Sequence, residues 1–528
     1  MHVPLTPLEF RRRAEALFGD KVGVVDGEKR FTYAEFGERS RRLAAALRAQ
    51  GVRPGEVVSF LTYNTHHLLE AYYGVLQAGA VLNPINIRLH PNDIAYVLNH
   101  AESCALFFHK DFAPMVETMR PGLETVKHLV VLEPDGPPPL AAAEYETLLG
   151  GAAPLSADPD VDENGVAELF YTSGTTGRPK GVALTHRSLY LHALYCIISK
   201  QLGDATVHLH VVPMFHVNGW GAPHTITGIG GTHVLLRKID PVEIFRLVQA
   251  ERVTDLYAVP AIFNALVNHP EFGKYDLRSL RLLMSGGAPP APALVAAMLD
   301  KFGCEAFVGY GLTETSPVLT LARPKTHLQH EPPERQLERR TRTGYPILGV
   351  EVRVMDENGR DVPADGETVG EIVARSNVVM DRYFKDPEAT AAAIRDGWFH
   401  TGDMATLDAE GYVNIVDRKK DIIISGGENI SSVQIENTLY AHPAVFECAV
   451  IPVPDERWGE VPKALVVLKP GAAATETDVL QFCRERLAGF MVPKSVEFLE
   501  ALPKGGTGKI LKGQLREKYW AGQTRRVH

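Results

Sequence analysis

The sequence is poor in the features that mark several function classes. Its five cysteines (Cys104, Cys196, Cys304, Cys448, Cys483) are scattered through 528 residues with no C-x-x-C pair. A disulfide framework and a zinc site are therefore not expected, and a reducing compartment is. H-E-x-x-H is absent, and the pair His330-Glu331 sits in a polar, proline-rich stretch. No apolar run reaches the roughly 18 residues that begin to span a bilayer. No apolar h-region follows Arg11-Arg12-Arg13 between Met1 and Asp20, so no signal peptide is expected. Short amphipathic pieces such as Arg41 to Leu47 read as core-facing helices. A cationic excess is missing too: 55 Lys and Arg stand against 64 Asp and Glu, a net charge of −9, which argues against a nucleic-acid partner. There is neither an internal repeat nor a low-complexity tract. With 45% hydrophobic and 23% charged residues, the chain reads as a soluble globular protein of the cytoplasm.

The length calls for several packed units. In the first half, short β-like runs (Glu56 to Leu61, Ala105 to His109, Leu129 to Leu132) alternate with helical patterns such as His66 to Ala78. That alternation predicts an α/β class with largely parallel sheets. Pro324 to Arg342 is polar and reads as a surface loop or short helix. From Gly344 to Val416 the texture is turn-rich and β-rich, with strands at Val350 to Val354, Glu371 to Ala374 and Tyr412 to Val416. After Asp417 the pattern becomes strand, helix, strand, strand, helix, with helices at Ser432 to Tyr440 and Thr477 to Leu487. About a hundred residues suffice for a separate α+β unit. The expected division is 1–417 and 418–528.

The most distinctive stretch is Tyr171-Thr172-Ser173-Gly174-Thr175-Thr176-Gly177-Arg178-Pro179-Lys180-Gly181. It follows an apolar run, Val166 to Tyr171, that reads as a strand. It precedes Thr185 to Ile198, a predicted helix with Thr185 as its cap. A loop rich in hydroxyl and backbone N–H donors at a strand–helix junction suits a polyphosphate. It lacks the G-x-x-x-x-G-K-[ST] spacing of a Walker A loop, and a merely solvated loop is the plain alternative. The order of its residues resembles the signature of the adenylate-forming superfamily, which includes acyl-CoA synthetases, peptide-synthetase adenylation domains and luciferases. Five more stretches are similar to that superfamily's motifs, in its order. They are Pro213-Met214-Phe215-His216-Val217-Asn218-Gly219-Trp220, Gly309-Tyr310-Gly311-Leu312-Thr313-Glu314-Thr315, Trp398-Phe399-His400-Thr401-Gly402-Asp403, Asp417-Arg418-Lys419-Lys420-Asp421, and Pro503-Lys504-Gly505-Gly506-Thr507-Gly508-Lys509.

The resemblance implies a large N-terminal part of two α/β sheets and a small β-barrel, followed by a mobile α+β C-terminal domain. It implies an ATP-dependent acyl-CoA ligase that makes acyl-AMP and pyrophosphate, then acyl-CoA and AMP. Lys509 would bridge the acyl carboxylate and the α-phosphate, a task suited to a point charge on a long stem. Taken alone it would read as an exposed turn lysine. Glu314 would hold Mg²⁺ with Thr175, since Mg²⁺ takes oxygen ligands shared with phosphates. Thr172, Ser173, Gly174, Thr175, Thr176, Gly177 and Lys180 would cradle the phosphates. Asp403 would accept from the ribose diol, Arg418 would face the nucleotide and Tyr310 would stack on adenine beside Gly311 and Thr313. Gly287 and Gly309 would let backbone approach the adenylate. His216, which in isolation reads as a core histidine, is assigned carboxylate binding or gating. Val217, Asn218, Gly219, Trp220 and Ala288 complete the acyl pocket. Gly426 and Gly427 would approach the pantetheine arm after rotation about Lys420.

The sequence departs from many relatives at Gly505, which replaces Thr or Ser, and at Ile424, which replaces a lysine. The expected pocket lining (Val217, Gly219, Trp220, Val259, Ala261, Gly287) holds no charge, which predicts an apolar short- to medium-chain acid with Trp220 as the floor. The alternatives are an enzyme loading a carrier protein, an aryl or other specialised carboxylate–CoA ligase, a luciferase-like oxygenase, and a catalytically dead nucleotide-binding regulator. No carrier domain follows residue 528, which favours CoA. Lys509, Glu314, Asp403 and Lys180 together disfavour the dead regulator. A homodimer follows only by analogy with the family.

Overall fold

In the computed structural model the described residues are 3–137, 139–172, 178–419, 421–426, 428–505 and 509–521. Two large sheets form the first part. One has eight strands, with Ser103–His109, Val57–Leu61, Val81–Pro84 and Val166–Thr172 at its centre. The other has nine, centred on Val207–His210, Asp255–Ala258, Leu282–Gly286 and Glu305–Gly311. Central strands pair in parallel, as Val57 with Val81 and Leu282 with Glu305. Strands such as Val57–Leu61 and Ser103–His109 are buried along their whole length. Their unbroken apolar runs follow from burial on both faces.

Helix His66–Gln77 is buried at every residue. It ties the two sheets together: Tyr72 donates to the Met214 carbonyl at 2.6 Å and Tyr73 to the Pro223 carbonyl at 3.0 Å. A third, antiparallel sheet of five strands (Val350–Met355, Gly370–Ser376, Ile394–Arg395, Trp398–Leu407, Val413–Arg418) lies where a barrel was implied. The chain then enters a fourth sheet at Ile423–Ser425, packed with helices Ser432–Tyr440, Glu476–Arg484 and Lys512–Trp520. The expected strand, helix, strand, strand, helix are present in that order, and the structure adds strand Glu428–Ile430, strand Ser495–Phe498, which runs parallel to Gly459–Leu468, and helix Lys512–Trp520. The polar segment 324–342 forms a short 3-10 turn, Thr326–Leu328, and helix Pro333–Thr341.

One local expectation is corrected. The signature loop does not lead into a helix. Strand Lys180–Thr185 intervenes and pairs antiparallel with Val166–Thr172. The helix starts only at His186, with Thr185 as its cap in a capping box with Ser188. The strands that flank the loop therefore pair as a hairpin, and the helix follows the second of them.

Glycine in the Gly309-Tyr310-Gly311 motif is explained by close packing within the protein rather than by room for a ligand. A Cβ on Gly311 would lie 1.6 Å from the Pro317 carbonyl oxygen, and one on Gly309 would lie 2.9 Å from Met284 Sδ. Backbone cannot yield as a flexible side chain can. Gly311→Ala should destabilise the fold by about 1–3 kcal/mol. Urea denaturation would show this as a lower midpoint, and an unchanged midpoint would contradict the packing.

Candidate active site

A cavity of about 1460 Å³ opens between the two large sheets, the third sheet and the C-terminal unit. Of the residues assigned from the sequence, Thr172, Lys180, His216, Val217, Trp220, Gly287, Gly309, Tyr310, Gly311, Thr313, Glu314, Asp403, Arg418 and Lys509 line it. They come from strands far apart in the chain.

At one end, antiparallel pairing sets Asp403 opposite Arg418. Arg418 Nε lies 3.4 Å from Asp403 Oδ1, and Tyr310 donates its hydroxyl to Asp403 Oδ2 at 2.8 Å. Burial, then the Asp403 charge, pushes the Tyr310 phenol well above its ordinary range, so it stays a donor. Glu314 accepts from the Tyr383 hydroxyl at 2.8 Å. Burial raises its carboxyl, with the Tyr383 bond and Arg418 opposing. Lys180 lies 3.6 Å from Asp386 and 5.2 Å from the centroid of the Tyr383 ring. Tyr383 escaped the sequence reading because its neighbours Arg382 and Phe384 form no recognisable pattern. It arrives on a two-residue edge strand, where it pairs with Val182 beside the signature hairpin.

At the other end, Val217, Asn218 and Trp220 hold φ values of +33°, +43° and +58°, a left-handed run that is costly for residues bearing a Cβ. The Asn218 amide sustains it by accepting from the Gly221 N–H at 2.7 Å and donating to Glu168 at 3.4 Å. Glu168 in turn bonds His224 at 2.6 Å. Asn218, assigned to the acyl pocket, thus turns its side chain into this buried network. Gly219 sits with Met214 and Pro223 around it, and Ala288 is half-buried beside Gly287. The turn presents Trp220 against Gly286 and Gly287 and places Val217 and Trp220 in an apolar cluster with Val259, Met284 and Val318.

Lys509 reaches the cavity from a pinned loop. Gly505 N–H donates to the Lys509 carbonyl at 2.7 Å, and Leu511 N–H donates to that of Pro503 at 2.8 Å. Three residues on, Lys512 is half-buried, with its Nζ 2.7 Å from Glu436 and 2.6 Å from the Ser432 hydroxyl. That hydroxyl donates to Asp417, as does the Ser432 N–H. Burial opposes the charge on Lys512, but Glu436 and Asp417 hold its pKa above the usual value. Gly426 lies elsewhere on the fourth sheet, at φ +60°, where a Cβ would meet the Trp458 ring at 2.5 Å. Ser173, Gly174, Thr175, Thr176, Gly177, Lys420 and Gly427 fall outside the described residues.

A second cavity of about 340 Å³ shares Arg88 with the first and adds Arg237, Lys238, Tyr63, Phe112 and Phe215. Arg88 stands far in the sequence from the adjacent Arg237 and Lys238, and folding brings it to them.

Residues 10–384 match the family of AMP-binding enzymes, and residues 434–509 match the AMP-binding enzyme C-terminal domain. The chain belongs to this family. It is 42% identical to a long-chain-fatty-acid–CoA ligase of Thermus thermophilus, over 97% of this chain and 95% of that one. It is 38% identical to 4-hydroxybutyrate–CoA ligase 2 of Metallosphaera sedula, over 97% and 94%. An anthranilate CoA ligase solved with anthranoyl-AMP superposes with a TM-score of 0.90 at 26% identity, covering 98% of each chain. The chain falls in the acyl-CoA synthetase branch of the adenylate-forming enzymes.

Burial, then the Lys509 charge, lowers the His216 imidazole to about 4. It is therefore neutral at physiological pH. Between the ordinary imidazole value and about 4, the unfolded chain binds a proton that the folded chain does not. This group's contribution to stability accordingly falls as pH drops through that window. An NMR titration should place the His216 midpoint near 4, and Lys509→Met should raise it. A midpoint that does not respond to Lys509→Met would contradict the approach of the two residues.

Proposed function

We propose that this AMP-forming acid–CoA ligase activates a short- to medium-chain aliphatic acid, with residues 1–417 binding acid and ATP and residues 418–528 moving between two half-reactions. The observation that carries the proposal is the convergence in one cavity of Lys509 with His216 and of Tyr310 with Asp403 and Arg418.

The difficulty of the first step is electrostatic, because a carboxylate must approach the α-phosphate of a polyanion. Donors and cations placed beforehand in a water-poor site lower that barrier. Lys509, beside the neutral His216, supplies charge where carboxylate and α-phosphate meet. His216 holds the acid by hydrogen bonding and adds no charge of its own. Asp403 accepts from the ribose hydroxyls, Arg418 and Lys180 offset phosphate charge, and Tyr310 lies against the base. The carboxylate oxygen bonds to the α-phosphorus as pyrophosphate leaves. In the second step the CoA sulfur takes the acyl carbon and AMP departs. A thiol of pKa about 8.5 ionises without a dedicated base.

Glu314 suits Mg²⁺, because its half-buried carboxylate faces the cavity and its donors, the Tyr383 phenol and its own backbone N–H, are uncharged. It would hold the ion with Thr175, and the ion would neutralise phosphate charge. The smaller cavity, with three cations and aromatic walls, suits the nucleotide end of CoA. A cytoplasmic location and a homodimer remain part of this reading by analogy with the family. No helix among the described residues is long and apolar enough to cross a membrane.

Lys509→Ala should lose about 10²-fold or more of pyrophosphate release, the scale for removing a charge-stabilising donor. It should still convert supplied acyl-AMP to acyl-CoA. Equal loss in both half-reactions would refute the assignment. Lys420→Pro, which fixes φ at the pivot and removes an N–H, should show the converse: acyl-AMP forms while thioester formation collapses. A wild-type rate of transfer from acyl-AMP would place the pivot elsewhere.

A further inference from the structure

The apolar wall at the acyl end is backed by a lysine. Lys200 ends helix His186–Lys200 and is only 3% exposed. Among the described residues its Nζ has no oxygen or nitrogen partner, and the Cys196 thiol is the one side chain that reaches it. The Nζ stands 4.3 Å from the centroid of the Tyr257 ring. Tyr257 is 1% exposed, and its hydroxyl makes no short hydrogen bond but lies toward the Asp255 carboxylate, which helps burial to raise the phenol pKa. Two neighbours feel the ammonium charge, but burial keeps the Cys196 thiol protonated and the His192 imidazole neutral. Neither supplies an anion. Asp255, on the Tyr257 strand, bonds His208 through Oδ2 at 3.1 Å, and its Oδ1 is buried with the Tyr257 hydroxyl as its neighbour.

A buried ammonium is costly unless it is both paired and hydrogen-bonded. The face of a ring offsets part of the charge and the Cys196 sulfur meets one donor, but two N–H donors remain. Their place in the fold indicates the missing acceptor. Tyr257 packs in one cluster with Val217, Trp220, Met284 and Val318, and those four line the active-site cavity. Lys200 and Tyr257 thus stand one side-chain layer behind the acyl wall, while His216 and Lys509 mark the reacting end.

We propose that Lys200 and the Tyr257 hydroxyl form a subsite for an acceptor oxygen at the end of the acid remote from the reacting carboxylate. The preferred substrate is then a short acid bearing a second carboxylate or a terminal hydroxyl. Neither Lys200 nor Tyr257 lines the cavity, so the acid reaches this subsite only when the Trp220 side chain swings aside. The proposal rests on the ligase reading above and departs from the expectation of a wholly apolar pocket.

The test measures kcat/KM for pyrophosphate release by the full-length enzyme with ATP, Mg²⁺ and CoA, on acids matched in length. Butyrate, 4-hydroxybutyrate and succinate form one set; valerate, 5-hydroxyvalerate and glutarate form the next; hexanoate, 6-hydroxyhexanoate and adipate form the third. At one length the oxygenated acid should exceed the plain acid by about 10- to 100-fold, the range for a hydrogen bond to a charged group. The carboxylate and hydroxyl arms show which oxygen is used. Lys200→Met should abolish that ratio and improve the plain acid, and Lys200→Arg should retain part of it. Tyr257→Phe removes only the hydroxyl and should reduce the ratio even if Lys200→Met fails to fold. Preference for the plain acid at every length in the wild type would overturn the subsite and leave the ligase reading intact. Absence of pyrophosphate release with every acid would overturn both.

Discussion

The chemistry of this cavity depends on a cation delivered from near the end of the chain, and a second cation makes that delivery possible. Half-buried Lys512 packs against Glu436 and the Ser432 hydroxyl, and Ser432 is itself held by Asp417. Asp417 belongs to the last strand of the third sheet, whereas Ser432 and Lys512 belong to the C-terminal unit. One polar chain therefore ties the two parts together three residues after Lys509. Arg516 adds a salt bridge to Asp421. Buried charges of this kind contribute little net stability but lose heavily when one partner is removed. That asymmetry suits a contact whose task is to specify one arrangement.

The acyl end obeys a different constraint. Trp220 faces the cavity because three residues bearing a Cβ accept left-handed backbone, and the Asn218–Glu168–His224 network holds them there. Backbone strain at a ligand wall is maintained by hydrogen bonds that never touch the ligand. At the nucleotide end the geometry comes from ordinary antiparallel pairing, which places Asp403 beside Arg418 without strain.

Much of this was legible beforehand. Strands such as Val57–Leu61 and helices such as Ser432–Tyr440 followed from apolar runs and period, and the ordered motifs identified the residues of the cavity wall. The illegible parts share a physical cause, dependence on partners distant in sequence. Lys180–Thr185 resembled a lead-in to a helix because its strand character comes from pairing with Val166–Thr172. Asn218 resembled a pocket residue because the Glu168 it bonds lies 50 positions away. Tyr383 and Lys200 carried no local signal at all.

The sequence by itself determined the α/β class, the order of the units and the kind of chemistry, because period-two and period-3.6 patterns and short motifs are local properties. Tertiary structure alone decided which charges meet. Lys509 comes to His216, Tyr383 to Glu314 and Lys200 to Tyr257 through the packing of sheets and the burial of polar groups. Those energies depend on distance in space, and no spacing along the chain encodes it.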